Sequence, residues 1–189
     1  MIPSRHSNPF ATCWTRPGAV PFLFAGGLSA DALIARLASQ NWRGQIIGPH
    51  GSGKSTLLAT LQPLLEASER SVQVIDGFEE LGRFERWRLR RACHGAHLGL
   101  LVTAHRSVGL PTLIEIAPNC CLVHQLVANL CGSTATPISP TDVDASIARH
   151  GSNVREILFD LYDRHERLSG NGSNGSSRLV VAIAGRARP

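Results

Sequence analysis

The sequence predicts an α/β fold: a three-layer arrangement around a mostly parallel sheet, followed by a small C-terminal helical lid. Three observations predict it. Short β-branched or apolar runs alternate with helical periodicities in the first part of the chain. A glycine-rich loop stands between one such run and one such helix. The later part then changes to helical spacing alone. With 189 residues, 43% of them hydrophobic, the chain is large enough to bury one core and to carry a small appended unit.

Taken in order, residues 1–41 read as an N-terminal arm and a helix capped by Ser29 that runs to about Gln40. Gln45-Ile46-Ile47 is a short buried strand. Gly48 to Thr56, GPHGSGKST, follows it, and then Leu57, Leu58 and Leu61 recur at helical spacing. Val72 to Asp76 is a β-branched run ending in a carboxylate, with Glu79 and Glu80 just beyond. FERWRLRRAC, 84–93, reads as a helix with Phe84 and Trp87 inward and Arg83, Arg86, Arg90 and Arg91 outward. Its arginine face suits nucleic acid or a neighbouring subunit, although a solvated face is the plainer reading. His97 to Arg106 is a strand whose end carries Thr103 and His105, and Thr112 to Ala117 is another, so the core spans 42–118.

The lid, 119–168, has three helices. Val123, Leu126, Val127 and Leu130 stripe the first, which Gly132 stops. Ser139-Pro140-Thr141-Asp142 is a capping box with Pro at the first helical position. Ser152 is expected to cap the third, in which Val154, Ile157, Leu158 and Leu161 face inward. Residues 169–189 read as a Gly/Ser/Asn linker and tail, with an edge strand conceivable at 178–184.

Composition narrows the class. Net charge is +5, yet it comes from eighteen arginines and a single lysine, Lys54, which falls inside the glycine loop. The arginine bias alone gives a nucleic-acid partner only weak support. Five cysteines, odd in number and without a CxxC spacing, suggest reduced thiols and a cytoplasmic location rather than a disulfide framework or zinc ribbon. A metal site from Cys93, His94, His97 and Cys121 is the weaker reading beside buried thiols and surface histidines. No early stretch has the continuous apolar character of a signal or a membrane span.

The loop carries the chemistry. Gly48, Gly53, Lys54 and Ser55 fit G-x-x-x-x-G-K-[ST], in which glycines let consecutive backbone N–H groups turn toward an anion at a helix N-terminus. Pro49, His50, Gly51, Ser52 and Thr56 complete that cradle. Lys54 is the phosphate-reaching cation, and Ser55 with Asp76 is the expected Mg²⁺ pair. Either Glu79 or Glu80 is expected to orient water.

With those motifs, the chain resembles a P-loop NTPase, specifically a compact AAA+ or additional-strand ATPase, over about residues 42 to 168. The resemblance implies that Val72 to Asp76 is a Walker B strand and that the Thr103 strand lies between it and the phosphate-loop strand. It further implies that Thr103 and His105 sense the γ-phosphate, and that Arg155, in Gly151-Ser152-Asn153-Val154-Arg155, acts as a lid arginine. A surface arginine paired with Asp142 or Asp144 is the competing reading of Arg155. The chain departs from the family in three ways: no room for a second strand between Pro63 and Ser71, no Asp-Glu pair, and no identifiable arginine finger.

The expected function is Mg·ATP binding with hydrolysis, coupled to an unidentified protein partner, with oligomerisation open. A nucleotide-gated adaptor with little turnover and a small-molecule kinase are the alternatives. A GTPase would need a second lysine to read guanine, and an ABC-type order of motifs does not fit. The segment Asn8 to Phe22 either wraps the base or is a tethered arm.

Overall fold

The computed structural model describes residues 8–132 and 135–173. After a single turn, α1 (Thr12–Thr15), the chain alternates helix and strand: α2 (Ala30–Ser39), β1 (Arg43–Ile47), α3 (Lys54–Glu66), β2 (Val72–Ile75), a 3₁₀ turn (Phe78–Glu80), α4 (Arg83–Gly95), β3 (Gly99–Ala104) and β4 (Thr112–Glu115). Three helices follow: α5 (Cys120–Cys131), α6 (Pro140–His150) and α7 (Val154–Ser173). The linker expected from residue 169 therefore starts as helix. The conceivable edge strand at 178–184 lies outside the described residues.

All four strands are parallel, in the order β2-β3-β1-β4. Thus β3 does insert between the glycine-loop strand and the strand that ends at Asp76. The register runs Arg43↔Leu100 to Ile47↔Ala104 and Val72↔Gly99 to Ile75↔Val102. From β1 the chain crosses over β3's position to β2 and then returns one place. Two right-handed crossovers running in opposite directions must lie on opposite faces of the sheet.

The core clusters agree with that rule. On one face Leu33 and Leu37 of α2 and Leu57 and Leu61 of α3 pack with Ile46, Leu101 and Leu113. On the other, Leu100 and Val102 pack with Phe78 and Cys93, α4 covering them. Alternation along β3 supplies both layers, and every one of its residues is buried. A third cluster belongs to the lid: Val123, Leu130, Val143, Ile157 and Leu161.

Local chemistry sets the helix ends. Ser29 Oγ accepts the Ala32 N–H at 3.1 Å, and Asn119 Oδ1 accepts that of Leu122 at 2.9 Å. The Ser139–Asp142 capping box forms, its carboxylate accepting the Ser139 N–H at 2.9 Å. For α7 the cap is Asn153, not Ser152. Asn153 Oδ1 accepts the Glu156 N–H at 3.3 Å, so the helix starts one residue later than its first capping-type residue suggests.

Two expectations are corrected. On α4 the aromatic residues face out, Phe84 67% and Trp87 55% exposed. Arg86 and Arg90 turn in instead, because the underlying turns present carbonyls that need donors. Arg86 donates from Nε to the Leu81 carbonyl at 2.7 Å and from Nη2 to that of Glu79 at 2.6 Å, and Arg90 donates to the Val108 carbonyl. The N-terminal segment, in turn, is held at both ends rather than left as an arm alone. Phe10 is completely buried in the lid core, and Asn8 Nδ2 donates to Glu166 Oε1 at 2.7 Å. The same segment then reaches α3, where the Phe22 N–H donates to Thr60 Oγ1 at 3.3 Å.

Candidate functional site

The C-terminal ends of all four parallel strands open toward one edge, where such sheets commonly leave a crevice. A cleft of about 730 Å³ lies there. Its floor is the glycine loop. Its walls are the N-terminal segment around Val20 and Pro21, the 3₁₀ turn, and Leu122, Leu158 and Phe159 of the lid helices.

Each loop glycine has a physical reason. Gly51 and Gly53 have φ of +68° and +97°, a region that side chains other than hydrogen disfavour. At Gly48 an added Cβ would stand 2.6 Å from Ser52 Oγ and 2.9 Å from the Ile116 carbonyl oxygen. At Gly51 it would stand 1.8 Å from Asn153 Oδ1 and 3.2 Å from Arg155 Cβ, so the start of α7 rests directly on the loop.

Lys54, the first residue of α3, is only 9% exposed. Its Nζ donates to the carbonyls of Gly48 at 2.7 Å and Pro49 at 2.8 Å and lies 3.2 Å from His105 Nδ1. On the far side of the ring, His105 Nε2 is 3.0 Å from Glu79 Oε1. His105 Nδ1 also lies 3.2 Å from the Gly48 carbonyl oxygen, so the ring is shared between Lys54 and that carbonyl on one side and Glu79 on the other. The His50 ring lies against that of His105, centroids 3.6 Å apart. Burial holds the Lys54 ammonium below the ordinary lysine pKa of 10.5; Glu79 and Asp76 pull the other way, and the Arg155 charge adds to the effect of burial.

Asp76 follows β2 and is exposed to the cleft. Ser55 Oγ donates to its Oδ2 at 2.6 Å, and Thr103 Oγ1 donates to its Oδ1. Thr103 is fully buried in β3 and also accepts the Gly77 N–H at 2.8 Å. Its hydroxyl thus joins Asp76 to the turn at Gly77.

Of the two candidate carboxylates, Glu79 joins the cluster. Its Oε1 meets His105, while its Oε2 is buried without a hydrogen-bond partner. Glu80 is exposed, with its carboxylate beside Gly77. Arg155 is exposed at the start of α7 and lines the cleft. The acids that might have paired with it are engaged elsewhere: Asp142 with Arg164 and Asp144 with His124.

Ser52, Thr56 and Pro49 stay with the loop as expected, although Pro49 contributes a carbonyl to Lys54 and no N–H. Sequence reading missed Arg86, whose bond to the Glu79 carbonyl fixes the turn that presents Glu79. No local signal marks it, because the carbonyls that draw Arg86 inward come from the preceding turn. Among the described residues no group of three or more His, Cys, Asp or Glu is arranged to hold a metal, so Cys93, His94, His97 and Cys121 form no such site. Nor is any described helix long and apolar enough to cross a membrane.

No protein-family model matches the chain, and no curated protein matches it.

Proposed function

We propose that this protein is a P-loop NTPase of the compact AAA+-like kind, binding Mg·ATP in the cleft and hydrolysing it. One observation carries the reading: a buried lysine at a glycine loop, beside a serine and an aspartate already within hydrogen-bond distance of each other. A lone lysine sequestered against two carbonyls is hard to explain as a fold-stabilising feature. Its ammonium is well suited to leaving those two carbonyls and donating instead to the oxygens of a triphosphate.

The donor set fits a magnesium ion. Ser55 and Asp76 would hold it, the latter through water, since Mg²⁺ takes few protein ligands beside phosphate oxygens. Bound there, it would neutralise charge developing between the β- and γ-phosphates. Loop N–H groups and Lys54 would bind the phosphate tail, and Arg155 would add a positive charge from the lid. Thr103 would orient Asp76. Glu79 would accept a hydrogen bond from the attacking water, whose oxygen bonds to the γ-phosphorus as the bond to the β–γ bridging oxygen breaks. The proton passes to Glu79 or to the released phosphate, leaving ADP and inorganic phosphate.

A second reading, a nucleotide-gated adaptor with slow turnover, is favoured by the His105–Glu79 contact, because that contact must open before Glu79 can reach water. Either way the coupled partner would be a protein that senses the lid. Phosphate release from Mg·ATP without an added acceptor, measured for the parent and for Glu79→Gln, is the test. Release that falls at least tenfold in the variant is expected of an ATPase. Release seen only with a small-molecule acceptor would mean a kinase, and unchanged release in Glu79→Gln would remove Glu79 from the mechanism.

A further inference from the structure

The outward face of α4 is aromatic and cationic together. Arg83, Phe84, Trp87, Arg88, Arg91 and His94 recur at spacings of one, three and four residues, and all are exposed. Such spacing puts them on one stripe about 17 Å long. The Phe84 and Trp87 rings stack on each other, centroids 5.9 Å apart and planes 21° from parallel. Arg88 and Arg91 sit over them, with guanidinium carbons 5.9 Å and 5.7 Å from the Phe84 and Trp87 centroids.

This face is not a failed core face. The inward side of α4 is complete, with Arg86 and Arg90 bound to backbone carbonyls and Cys93 buried. The one carboxylate on the helix, Glu85, is turned back to cap its start, accepting the Gly82 N–H at 2.8 Å. The outward stripe is thus left cationic and aromatic together.

A second feature extends it. At the His94 end a hollow of about 360 Å³ is lined by Arg43, Arg70, His94 and His97, with no carboxylate among its lining residues. Arg43 Nη2 approaches His94 Nδ1 to 3.2 Å, and among the described residues neither Arg43 nor Arg70 has an ion pair. Arg70, His94 and His97 are exposed and Arg43 is half-buried, so the hollow is an open cationic depression with no acid of its own to compete with an incoming anion.

We propose that α4 and this hollow form a binding surface for single-stranded nucleic acid. Exposed rings stacked nearly parallel offer faces on which unpaired bases can continue the stack. The arginines that lie over the rings swing aside to meet backbone phosphates as bases take their place, and the hollow takes a further phosphate. A duplex keeps its bases stacked on each other and would gain nothing from the rings. An acidic protein would meet the arginines but leave Phe84 and Trp87 without a matching pocket. The surface lies outside the cleft, so the inference stands apart from the ATPase reading and is tested without nucleotide. Through Arg86 and the Glu79 carbonyl it nevertheless touches the turn that carries Glu79.

The test is fluorescence anisotropy of a labelled oligothymidylate of about a dozen nucleotides, titrated with the full chain at several salt concentrations. A duplex of the same length is the control. The parent is expected to bind the single strand in preference. Trp87→Ala is expected to weaken it about tenfold, one stacked base being removed. Arg88→Gln with Arg91→Gln is expected to lower the salt slope by about 1.4, two phosphate contacts at ~0.7 each. All three side chains are exposed, so circular dichroism should show each variant folded. Absence of binding overturns the proposal. So does binding that ignores Trp87→Ala, which marks a general polyanion effect. Self-association abolished by Trp87→Ala also overturns it, since a second copy would then cover the stripe.

Discussion

The Ser55 hydroxyl donates a 2.6 Å hydrogen bond to Asp76 Oδ2, joining the first turn of α3 to the end of β2 across 21 positions of sequence. Thr103 of β3, the strand between β1 and β2, donates to the second carboxylate oxygen. If this pair is the Mg²⁺ site, Thr103→Val, which keeps shape and removes the hydroxyl, should raise the magnesium concentration needed for half-maximal ATP binding by about 10–100-fold. Asp76→Asn should raise it at least as far. ATP titrations at stepped magnesium concentration check both, and an unchanged requirement would separate Asp76 from the metal.

Lys54 predicts a pH dependence. Burial depresses its pKa in the free protein, and a bound triphosphate favours the charged ammonium and raises it again. Binding then takes up a proton in the alkaline range. Affinity should be full below the free protein's depressed pKa and fall as pH rises through it, before the ordinary 10.5 is reached. A plot of ATP affinity against pH that stays flat to 10.5 would contradict this.

Gly51 predicts coupling between loop and lid. Gly51→Ala must accept a positive φ and also displace Asn153, whose Oδ1 would lie 1.8 Å from the new Cβ. The expected loss is about 1–3 kcal/mol of stability, and weaker nucleotide binding. Adding Asn153→Ala removes the clash but not the backbone strain, and it also deletes the α7 cap. The pair of substitutions should therefore be non-additive in thermal denaturation, with an interaction term of at least about 0.5 kcal/mol. Strict additivity would mean that the lid does not rest on the loop.

How much of this was legible in sequence follows from the range of the forces involved. The loop was legible because its glycines answer local demands, and the Ser139 cap because four consecutive residues define it. The place of β3 between β1 and β2 was expected only through the resemblance to additional-strand ATPases, and the edge position of β4 was not read at all. The face of α4 was not legible. Periodicity assigns aromatic residues inward by type, whereas the carbonyls of Glu79, Leu81 and Val108 select arginines. Nor was Glu79 separable from Glu80, since the choice depends on His105, brought close only by the sheet. Phe10 lay beyond reach for the same reason: its partners in α5 and α7 are more than a hundred positions away.

Phe10 itself predicts a stability effect. A fully buried ring truncated to Ala leaves a cavity in the lid core, so Phe10→Ala should cost about 3–5 kcal/mol in denaturant unfolding. A loss under about 0.5 kcal/mol, as for an ordinary surface site, would mean that the N-terminal segment is only tethered.

The central claim is that the loop from Gly48 to Ser55 grips a nucleoside triphosphate through Lys54. Calorimetric titration of Mg·ATP into the parent and into Lys54→Ala, each shown folded by circular dichroism, tests it most directly. The account predicts saturable one-to-one binding by the parent and a loss of at least about 100-fold in Lys54→Ala, a charge-assisted contact being removed. Equal affinity in the two proteins, or no heat of binding in the folded parent, would contradict it.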